Sequence, residues 1–472
     1  MRKIQWMLSF FVLTGCLRPN YQPQYVDIPC EWRMATNEGN TLCNYRWWKQ
    51  FQDPVLDELI LIALSNNLDL QVAIRRVFEY YARLGISNAA FYPVIDGIAS
   101  YNRMQSSIAL PVDQPIGVPR TFNDFQGYLN GTWELDFWGR IYSANEASFA
   151  ELLAQIQARR TVVMTVVTSV ANAYFVLRQL DAQLQISKKT LESRLDSLRL
   201  AKDRFELGET SEIEVKQAEA EVEIAIIRVI EFERDIPRQE NLLSILLGEN
   251  PHSVIRGLAI DDMDYPLYIP EGLPSDLLTR RPDIMQAEDN LIAANARVTE
   301  ARALYFPQIT LTGQYGSESD QLKNFLSSPA EFWQYGVTAV QSIFDAGKIY
   351  YEVRVNEELR NQVLFTYRQT ILNAFREVDD ALITTEKNRE LVTEHIKQVK
   401  ILNEYLHLAQ LRYEEGEIDY LNVLDAERQL FDTELQLAQA YADNLTAIVS
   451  LYKALGGGWV ADADAIALEC EY

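Results

Sequence analysis

Several features are scarce in this sequence, and their scarcity excludes classes of function. Among 472 residues there are three histidines and four cysteines, and 43 Lys and Arg stand against 67 Asp and Glu, a net charge of −24. No excess of positive charge is left to neutralise phosphates, so nucleic acid is not an expected partner. Because no CxxC, HExxH or P-loop motif occurs, we expect no metal, no cofactor and no enzymatic activity. The acidity itself has two interpretations: solubility, or an acidic surface that lines a path for cations or faces a basic partner.

The N-terminus has the pattern of an exported lipoprotein. Arg2 and Lys3 precede a short apolar run over residues 4–12, and LTGC (13–16) then places small residues directly before Cys16. This pattern predicts a signal peptide over residues 1–15 and a covalent lipid (palmitate) on Cys16; an ordinary signal peptide that contains a cysteine is the alternative. Leu17, rather than Asp, favours retention in the outer membrane.

The remaining cysteines are Cys30, Cys43 and Cys470. Export places them in an oxidising compartment, where a Cys30–Cys43 disulfide would staple a lipid-anchored, extended segment over residues 16–52. Three unpaired thiols are the alternative.

The body of the chain contains the same unit twice. SLRLAKDRFELGE (197–209) aligns without a gap on YLHLAQLRYEEGE (405–417), and the offset of 208 continues to Leu247-Gly248 and Leu455-Gly456. One register held over more than a hundred residues indicates a duplicated supersecondary unit. We therefore divide the chain into a first repeat, 53–258, a second repeat, 259–458, and a C-terminal tail, 459–472.

Each repeat begins with helices and continues with a β-hairpin. The helical patterns cover about 53–90 and 274–305, and Pro93 and Pro307 follow them, because the residue before a proline is disfavoured in a helix. After each proline the apolar period changes from 3.6 to 2, which predicts hairpins at about 94–137 and 308–344. Strands of this length suffice to cross a bilayer, and soluble hairpins packed on a helix are the alternative.

Two long helical hairpins follow the strands. Helical patterns run from Gly139 to about Phe205 and from Gly347 to about Tyr413, each turning near Gly208 or Gly416 into a returning helix. About 67 residues at a rise of 1.5 Å give a rod of about 100 Å. Residues 161–177 carry no charge, but their repeat partner 369–385 carries several, so a membrane-spanning helix is not expected.

The strand count predicts an oligomer. Four strands cannot close a barrel, and lipid does not tolerate an open sheet edge. Several chains must therefore share one barrel if the strands cross a membrane. The pattern alone leaves both two and three chains open.

Six segments carry a resemblance to a known family. They are WWKQFQDPVLDELILIALSNNLDLQVA (47–73), WELDFWGR (133–140), RFELGETSEIEV (204–215), FDAGK (344–348), RYEEGEIDYLNVLDAERQLF (412–431) and LYKALGGGW (451–459). In this order they resemble the TolC-like outer-membrane efflux ducts, in the OprM/NodT-type lipoprotein branch. The resemblance implies a mainly α membrane protein with a β-barrel part: a homotrimer with a twelve-stranded barrel in the outer membrane and an α-helical barrel in the periplasm.

The same resemblance implies partners and function. Family members act with a periplasmic adaptor (membrane fusion) protein and an inner-membrane transporter in multidrug efflux, as a passive duct for drugs or other solutes. A non-conducting coiled-coil envelope lipoprotein and a type I secretion exit duct are the alternatives.

The turns of the helical hairpins match the family's docking and gating positions. The resemblance implies adaptor docking at Arg204, Gly208, Arg412 and Gly416; the arginines could instead cap helix carbonyls. It implies a periplasmic gate at Asp425, Asn422, Tyr413 and Glu214.

Local patterns offer other roles for the gate residues. The resemblance implies a ring of three Asp425 carboxylates at the gate, and several family members have a second acidic ring and a latch arginine at the positions of Asn422 and Ile418. Asn422 and Ile418 depart from these residues, so the second ring and the latch are not expected. Ser211-x-x-Glu214 also reads as a capping box, and Asp419 as an N-cap of the next helix. A solvated helix face is the alternative for Asp425, and plain packing for Tyr413.

Overall fold

The computed structural model describes residues 19–24, 28–29, 32, 46–105, 121–264, 269, 274–456 and 458–469. The predicted lipid site at Cys16, the predicted Cys30–Cys43 pair and most of the first hairpin loop lie outside the described residues. The chain divides into two compact units: one holds 77–154 and 287–367 with part of 1–25, and the other holds 26–76, 155–286 and 368–472. Each unit combines segments of both sequence repeats, so the repeat boundaries remain a prediction.

The first unit contains one antiparallel sheet. Its strands are β1 (Val94–Gln105), β2 (Thr121–Leu135), β3 (Gln308–Ser319) and β4 (Glu331–Val340), hydrogen-bonded in that order. Both expected hairpins are present, and β2 of the first pairs with β3 of the second. The sheet is open in the described part of the chain, since β1 and β4 each pair there with a single strand.

The register gives the sheet two chemically different faces. Directly paired residues share a face. We call one face apolar because it carries Tyr101, Phe125, Leu129, Trp133, Leu311, Tyr315, Trp333, Tyr335 and Val337. The opposite, polar face carries Asp96, Asn102, Asp124, Gln126, Asn130, Glu134, Thr312, Gln314 and Gln334. This alternation is what a strand between lipid and a wet lumen requires.

Helices make up most of the remaining described chain. In order they are α1 (Pro54–Asn66), α2 (Leu68–Ala89), α3 (Arg140–Glu206), α4 (Glu212–Leu246), α5 (Leu277–Arg280), α6 (Pro282–Ala303), α7 (Lys348–Glu414), α8 (Tyr420–Leu455) and α9 (Gly458–Glu469). The long helices α3 and α7 have 67 residues each, and the returning helices α4 and α8 have 35 and 36.

Helix α1 begins as its sequence predicts. Pro54 occupies the first turn, and the carboxylate of Asp53 accepts hydrogen bonds from the backbone amides of Val55 at 2.9 Å and Leu56 at 3.4 Å. The same buried carboxylate accepts a bond of 2.7 Å from the hydroxyl of Tyr174 on α3. Asp53 therefore joins α1 to α3 inside the second unit.

An aromatic cluster forms part of the core of the second unit. Trp47, Trp48 and Phe51 of a short 3-10 helix are fully buried, and Trp47 stacks on Tyr452 with ring centroids 5.5 Å apart. Trp459 of α9 meets both tryptophans edge to face. Helix α9 occupies most of the segment that was predicted to be a C-terminal tail, and a buried ion pair between Arg159 and Asp464 at 2.6 Å also holds it.

By length and composition, α3 contains a stretch apolar enough to cross a membrane. Most of that stretch (61%) is buried inside the protein, and Val163, Val167, Val170 and Phe175 are buried residues of the same helix. Its apolar residues therefore pack in the helical core, as the charged repeat partner at 369–385 indicates.

Candidate gate at the two helical tips

Both helical hairpins of the second unit turn in the same way. We call the turn between α3 and α4 the first tip and the turn between α7 and α8 the second tip. At the first tip the amide of Glu209 donates to the carbonyl of Arg204 at 2.9 Å, and the amide of Gly208 donates to that of Phe205 at 3.0 Å. Together these two bonds form a Schellman motif.

The second tip repeats this pair of bonds, from Glu417 to Arg412 at 2.9 Å and from Gly416 to Tyr413 at 3.0 Å. Gly208 and Gly416 have φ values of 77° and 78°, in the left-handed region where a side chain is unfavourable. The glycines are therefore required by the turns. Any role in adaptor docking stays a prediction.

The two tip arginines point to carboxylates. Arg412 Nε donates to Glu417 at 2.9 Å, and Arg204 Nε lies 3.6 Å from a carboxylate oxygen of Glu209. The carbonyl groups of Arg204 and Arg412 are occupied by backbone amides of the Schellman motifs. Neither arginine side chain makes a bond to a helix carbonyl in the described residues, so the capping alternative is wrong for both.

Tyr413 connects the two tips. Its hydroxyl donates to a carboxylate oxygen of Glu214 at 3.1 Å, and the guanidinium of Arg204 lies over its ring, 4.9 Å from the centroid. Partial burial, together with the negative charge of Glu214, raises the pKa of Tyr413, so the hydroxyl remains a donor at neutral pH. One side chain of the second tip thus contacts two of the first.

The predicted capping box is wrong. Ser211 is the N-cap residue of α4, but its side chain accepts no cap hydrogen bond; the backbone amide of Glu214 instead donates to the Ser211 carbonyl at 3.1 Å. The Glu214 carboxylate does not bond back to the start of its own helix, because it accepts a hydrogen bond from the Tyr413 hydroxyl. The predicted side-chain cap by Asp419 is likewise absent at the start of α8.

The predicted gate residues Asp425 and Asn422 lie on α8. Asp425 is exposed in the single chain, and the amide of Gln429 donates to its carboxylate at 2.7 Å. Asn422 is also exposed, but its amide donates to the carbonyl of Asp419 at 3.2 Å. Ile418 packs against the small apolar core of the tips, which is formed by Ala201, Val215, Ala218, Ala409, Tyr420, Val423, Leu424 and Ala426.

Behind this core lies a buried charged network that sequence reasoning missed. Glu221 is 1% exposed and accepts from Arg428 Nε at 2.6 Å, while Arg194 donates to the Glu221 carbonyl at 2.9 Å and ion-pairs with its carboxylate at 3.1 Å. Arg194 also lies over the ring of Phe431, 5.0 Å from the centroid. The signal was present, since Glu221 interrupts the buried apolar positions Val215, Ala218, Val222 and Ala225 of α4.

Glu427 is the least compensated member of this buried region. It is 8% exposed, and its carboxylate oxygens accept no well-formed hydrogen bond from the described residues. Burial raises its pKa above the usual range, and the charge of Arg194 and, more weakly, the hydroxyl of Ser197 oppose that shift. The charged form of Glu427 therefore costs free energy in the folded protein.

A pH-dependent effect of Glu427→Gln follows. A raised pKa in the folded state means that this carboxyl favours folding at low pH and loses that contribution as the pH rises through the folded value. We expect Glu427→Gln to raise the thermal midpoint of the purified protein more at pH 8 than at pH 5. Glu219→Gln, at the equivalent but only half-buried position of the first repeat, should show no such gain, because the hydrogen bond from Lys216 lowers the pKa of Glu219. A midpoint gain for Glu427→Gln that shrinks with rising pH would contradict this assignment.

The described residues contain no group of three or more His, Cys, Asp or Glu side chains that could hold a metal ion. The polar contacts of the tips are instead hydrogen bonds and ion pairs between neighbouring helices. The tips therefore contain hydrogen bonds and ion pairs that can break and re-form beside exposed carboxylates.

Comparison with known proteins identifies the family. Residues 59–249 and 273–457 match the family model for outer membrane efflux proteins. The chain is 34% identical over 462 residues to the solvent efflux pump outer membrane protein SrpC of Pseudomonas putida, covering 96% of this chain and 97% of the relative. It is 32% identical over 452 residues to the cation efflux system protein CusC of Escherichia coli, covering 95% and 96%.

The fold is also that of a solved outer-membrane channel. The crystal structure of Campylobacter jejuni CmeC superposes with a TM-score of 0.88 at 25% identity, over 94% of this chain and 95% of that one. The chain belongs to the outer membrane efflux protein family. It is an outer-membrane exit duct of an efflux system, and the predicted TolC-like fold class, function and outer-membrane location are confirmed.

Proposed function

We propose that three copies of this chain form a passive exit duct that is closed at the tips. The observation that carries this proposal is the open four-stranded sheet with one apolar and one polar face. Both sheet edges need partners in lipid, and three chains would supply twelve strands around a polar lumen. Fewer strands would leave little room inside, since a barrel of about eight is filled by its own side chains.

The tips supply the proposed gate. The Tyr413–Glu214 bond ties α7 to the start of α4, so separating the two helical hairpins requires breaking it. Asp425 is exposed on α8, and three copies around the proposed threefold axis would form a ring of carboxylates that favours cations. Asn422 would add no charge to that ring. The gate therefore combines a mechanical link with one electrostatic filter.

The proposed partners follow from the family and from the position of the tips. A periplasmic adaptor would dock on the turns at Arg204, Gly208, Arg412 and Gly416, and an inner-membrane transporter would provide energy and select the substrate. Relatives are described as components of solvent and cation efflux systems, so drugs or other solutes are the proposed cargo. We further propose the lipid on Cys16 as an anchor in the outer membrane, and a duct without enzymatic activity.

The non-conducting lipoprotein remains the competing proposal. A water-soluble sheet would bury its apolar face against helices, whereas Leu129, Trp333, Tyr335 and Val337 of that face are exposed here. The type I secretion duct would use the same channel with a different transporter. No observation of the described residues favours it.

The test is single-channel conductance of the mature protein in planar bilayers, beside Asp425→Ala. We expect small, cation-preferring currents in the wild type and weaker cation preference, with larger currents, in the variant. Asp196→Ala is the matched control, because it removes one exposed carboxylate from α3, where Asp196 pairs with Arg199 at 3.1 Å. Equal conductance and selectivity in all three proteins would remove Asp425 from the gate. Verified insertion without any current, even from a variant with weakened tips, would favour the structural lipoprotein.

A further inference from the structure

The loop between β3 and β4 is ordered and folds back onto the sheet. Residues 320–330 contain two short 3-10 helices, Leu322–Asn324 and Ser328–Ala330. The amides of Asn324, Phe325, Ser327 and Ala330 each donate to a carbonyl three residues earlier. A loop with so many internal backbone bonds can enter a poorly hydrated environment at low cost, because fewer polar groups lose water without a partner.

Phe325 fixes this loop to the apolar face. Its ring occupies the space beside Gly127, where an added Cβ would lie only 2.6 Å from Cζ of Phe325. Gly127 pairs with Ala99 on β1 and Ser317 on β3, so three small residues form a shallow depression across three strands. Phe325 fills it, as an aromatic side chain commonly does above a glycine in a sheet.

The neighbours of this depression form a belt of aromatic side chains. Tyr101 stacks on Phe125 with centroids 4.7 Å apart, and Trp333 stacks on Tyr335 at 5.5 Å. Tyr315, opposite Trp333, completes the belt near the loop end of the strands. Aromatic girdles of this kind mark the membrane–water boundary of outer-membrane barrels.

The rest of the loop presents apolar side chains to the surroundings. Leu326 is 90% exposed and Leu322 is 68% exposed, although both lie next to the docked Phe325. Asp320 and Lys323 are the only charged residues in 320–330, so the loop has no net charge to oppose entry into lipid. Its exposed leucines continue the apolar face of the barrel beyond the ends of the strands.

From these contacts we infer that the β3–β4 loop is a membrane anchor. It inserts the side chains of Leu322 and Leu326 into the outer leaflet of the outer membrane beside the aromatic belt. This inference rests on the proposed barrel, in which the apolar face meets lipid. The partner is the acyl region of the outer-leaflet lipid, and the exposed Lys323 would offer a positive charge to lipid phosphates. The loop then fixes the depth of the barrel in the membrane through Phe325 and its glycine.

The test measures lipid contact at single labelled positions. An environment-sensitive fluorophore is attached to Leu326→Cys in the full mature protein, with Cys30, Cys43 and Cys470 replaced by serine and the protein reconstituted in vesicles of outer-membrane lipid. Leu129→Cys on the apolar face and Asn130→Cys on the polar face are the matched references. We expect spin-labelled lipid to quench Leu326 about as strongly as Leu129, and aqueous iodide to quench it several-fold less than Asn130.

Each other result has a defined meaning. Quenching of Leu326 by iodide alone, with Leu129 quenched by lipid, overturns the anchor and leaves the proposed barrel intact. Protection of Leu326 from both quenchers means that a neighbouring copy of the chain covers the loop, which also overturns the anchor. If lipid fails to quench Leu129 as well, the proposed barrel fails together with the anchor. Adding Phe325→Ala to the Leu326 variant should reduce lipid quenching, since the loop loses its attachment at Gly127.

Discussion

Tyr413→Phe is expected to shift the tip from closed to open and to raise channel conductance. The substitution removes one hydrogen bond from the Tyr413 hydroxyl to Glu214 and keeps the ring under Arg204. A half-buried bond of this kind contributes about 1 kcal/mol. The proposed trimer would lose three copies of this hydrogen bond, which together contribute about 3 kcal/mol to the closed state. Their loss would raise the open-to-closed ratio about 100-fold. Single-channel recordings report this as a longer open time and a larger mean current.

Tyr405→Phe is the matched control for this experiment. Tyr405 lies on the same helix, α7, two turns before Tyr413, and is partly exposed. Glu214→Gln should open the tip in the same direction, because it weakens the acceptor. Tyr405→Phe should leave the conductance unchanged. If Tyr413→Phe also leaves the conductance unchanged, or lowers it, the Tyr413–Glu214 bond has no role in the gate.

Glu221→Ala is expected to cause the largest loss of stability of any single substitution near the tips. It leaves Arg194, which is 2% exposed, as a buried cation without its ion-pair partner. Breaking a buried pair from one side costs about 3 to 5 kcal/mol, and here Arg428 loses its carboxylate as well. Thermal unfolding followed by helical circular dichroism should show a markedly lower midpoint, and hydrogen exchange should increase in α4 near residue 221.

The chain offers a control on the same pair of helices. Glu233 of α4 pairs with Lys188 of α3 at 2.8 Å, but both side chains are more than half exposed. Glu233→Ala should change stability by well under about 1 kcal/mol, because solvent screens the pair. The triple variant Arg194→Met, Glu221→Leu and Glu427→Gln should recover much of the loss, since it removes all three buried charges together. A Glu221→Ala protein as stable as Glu233→Ala would show that the network is solvated.

The strands and long helices could be predicted because their signals are local. A change of period from 3.6 to 2 after Pro93 and Pro307 depends only on neighbouring residues, and β1 and β3 begin at Val94 and Gln308. The glycine turns were equally readable, because Gly208 and Gly416 need positive φ. Gly456, which follows α8, also has a positive φ of 62°, but its ψ of −145° lies outside the left-handed helical region.

The parts that failed depend on which distant residues meet. Ser211 and Glu214 have the spacing of a capping box, yet the carboxylate bonds to Tyr413, which is 199 positions away. Arg194, Glu221 and Arg428 come from three helices, so only the assembled hairpins reveal their network. The gate and docking assignments could be named from the family resemblance, whereas their contacts required the structure.

The two repeats are alike in backbone but differ in charge at equivalent positions. Arg194, Glu221 and Arg428 correspond to Leu402, Gln429 and Ala220 at the offset of 208. Likewise, Tyr413 and Glu214 correspond to Phe205 and Asn422. A threefold assembly of duplicated chains would look nearly sixfold symmetric in outline, while its chemistry alternates around the ring. An adaptor that engages every hairpin of the proposed trimer would therefore meet two kinds of binding site.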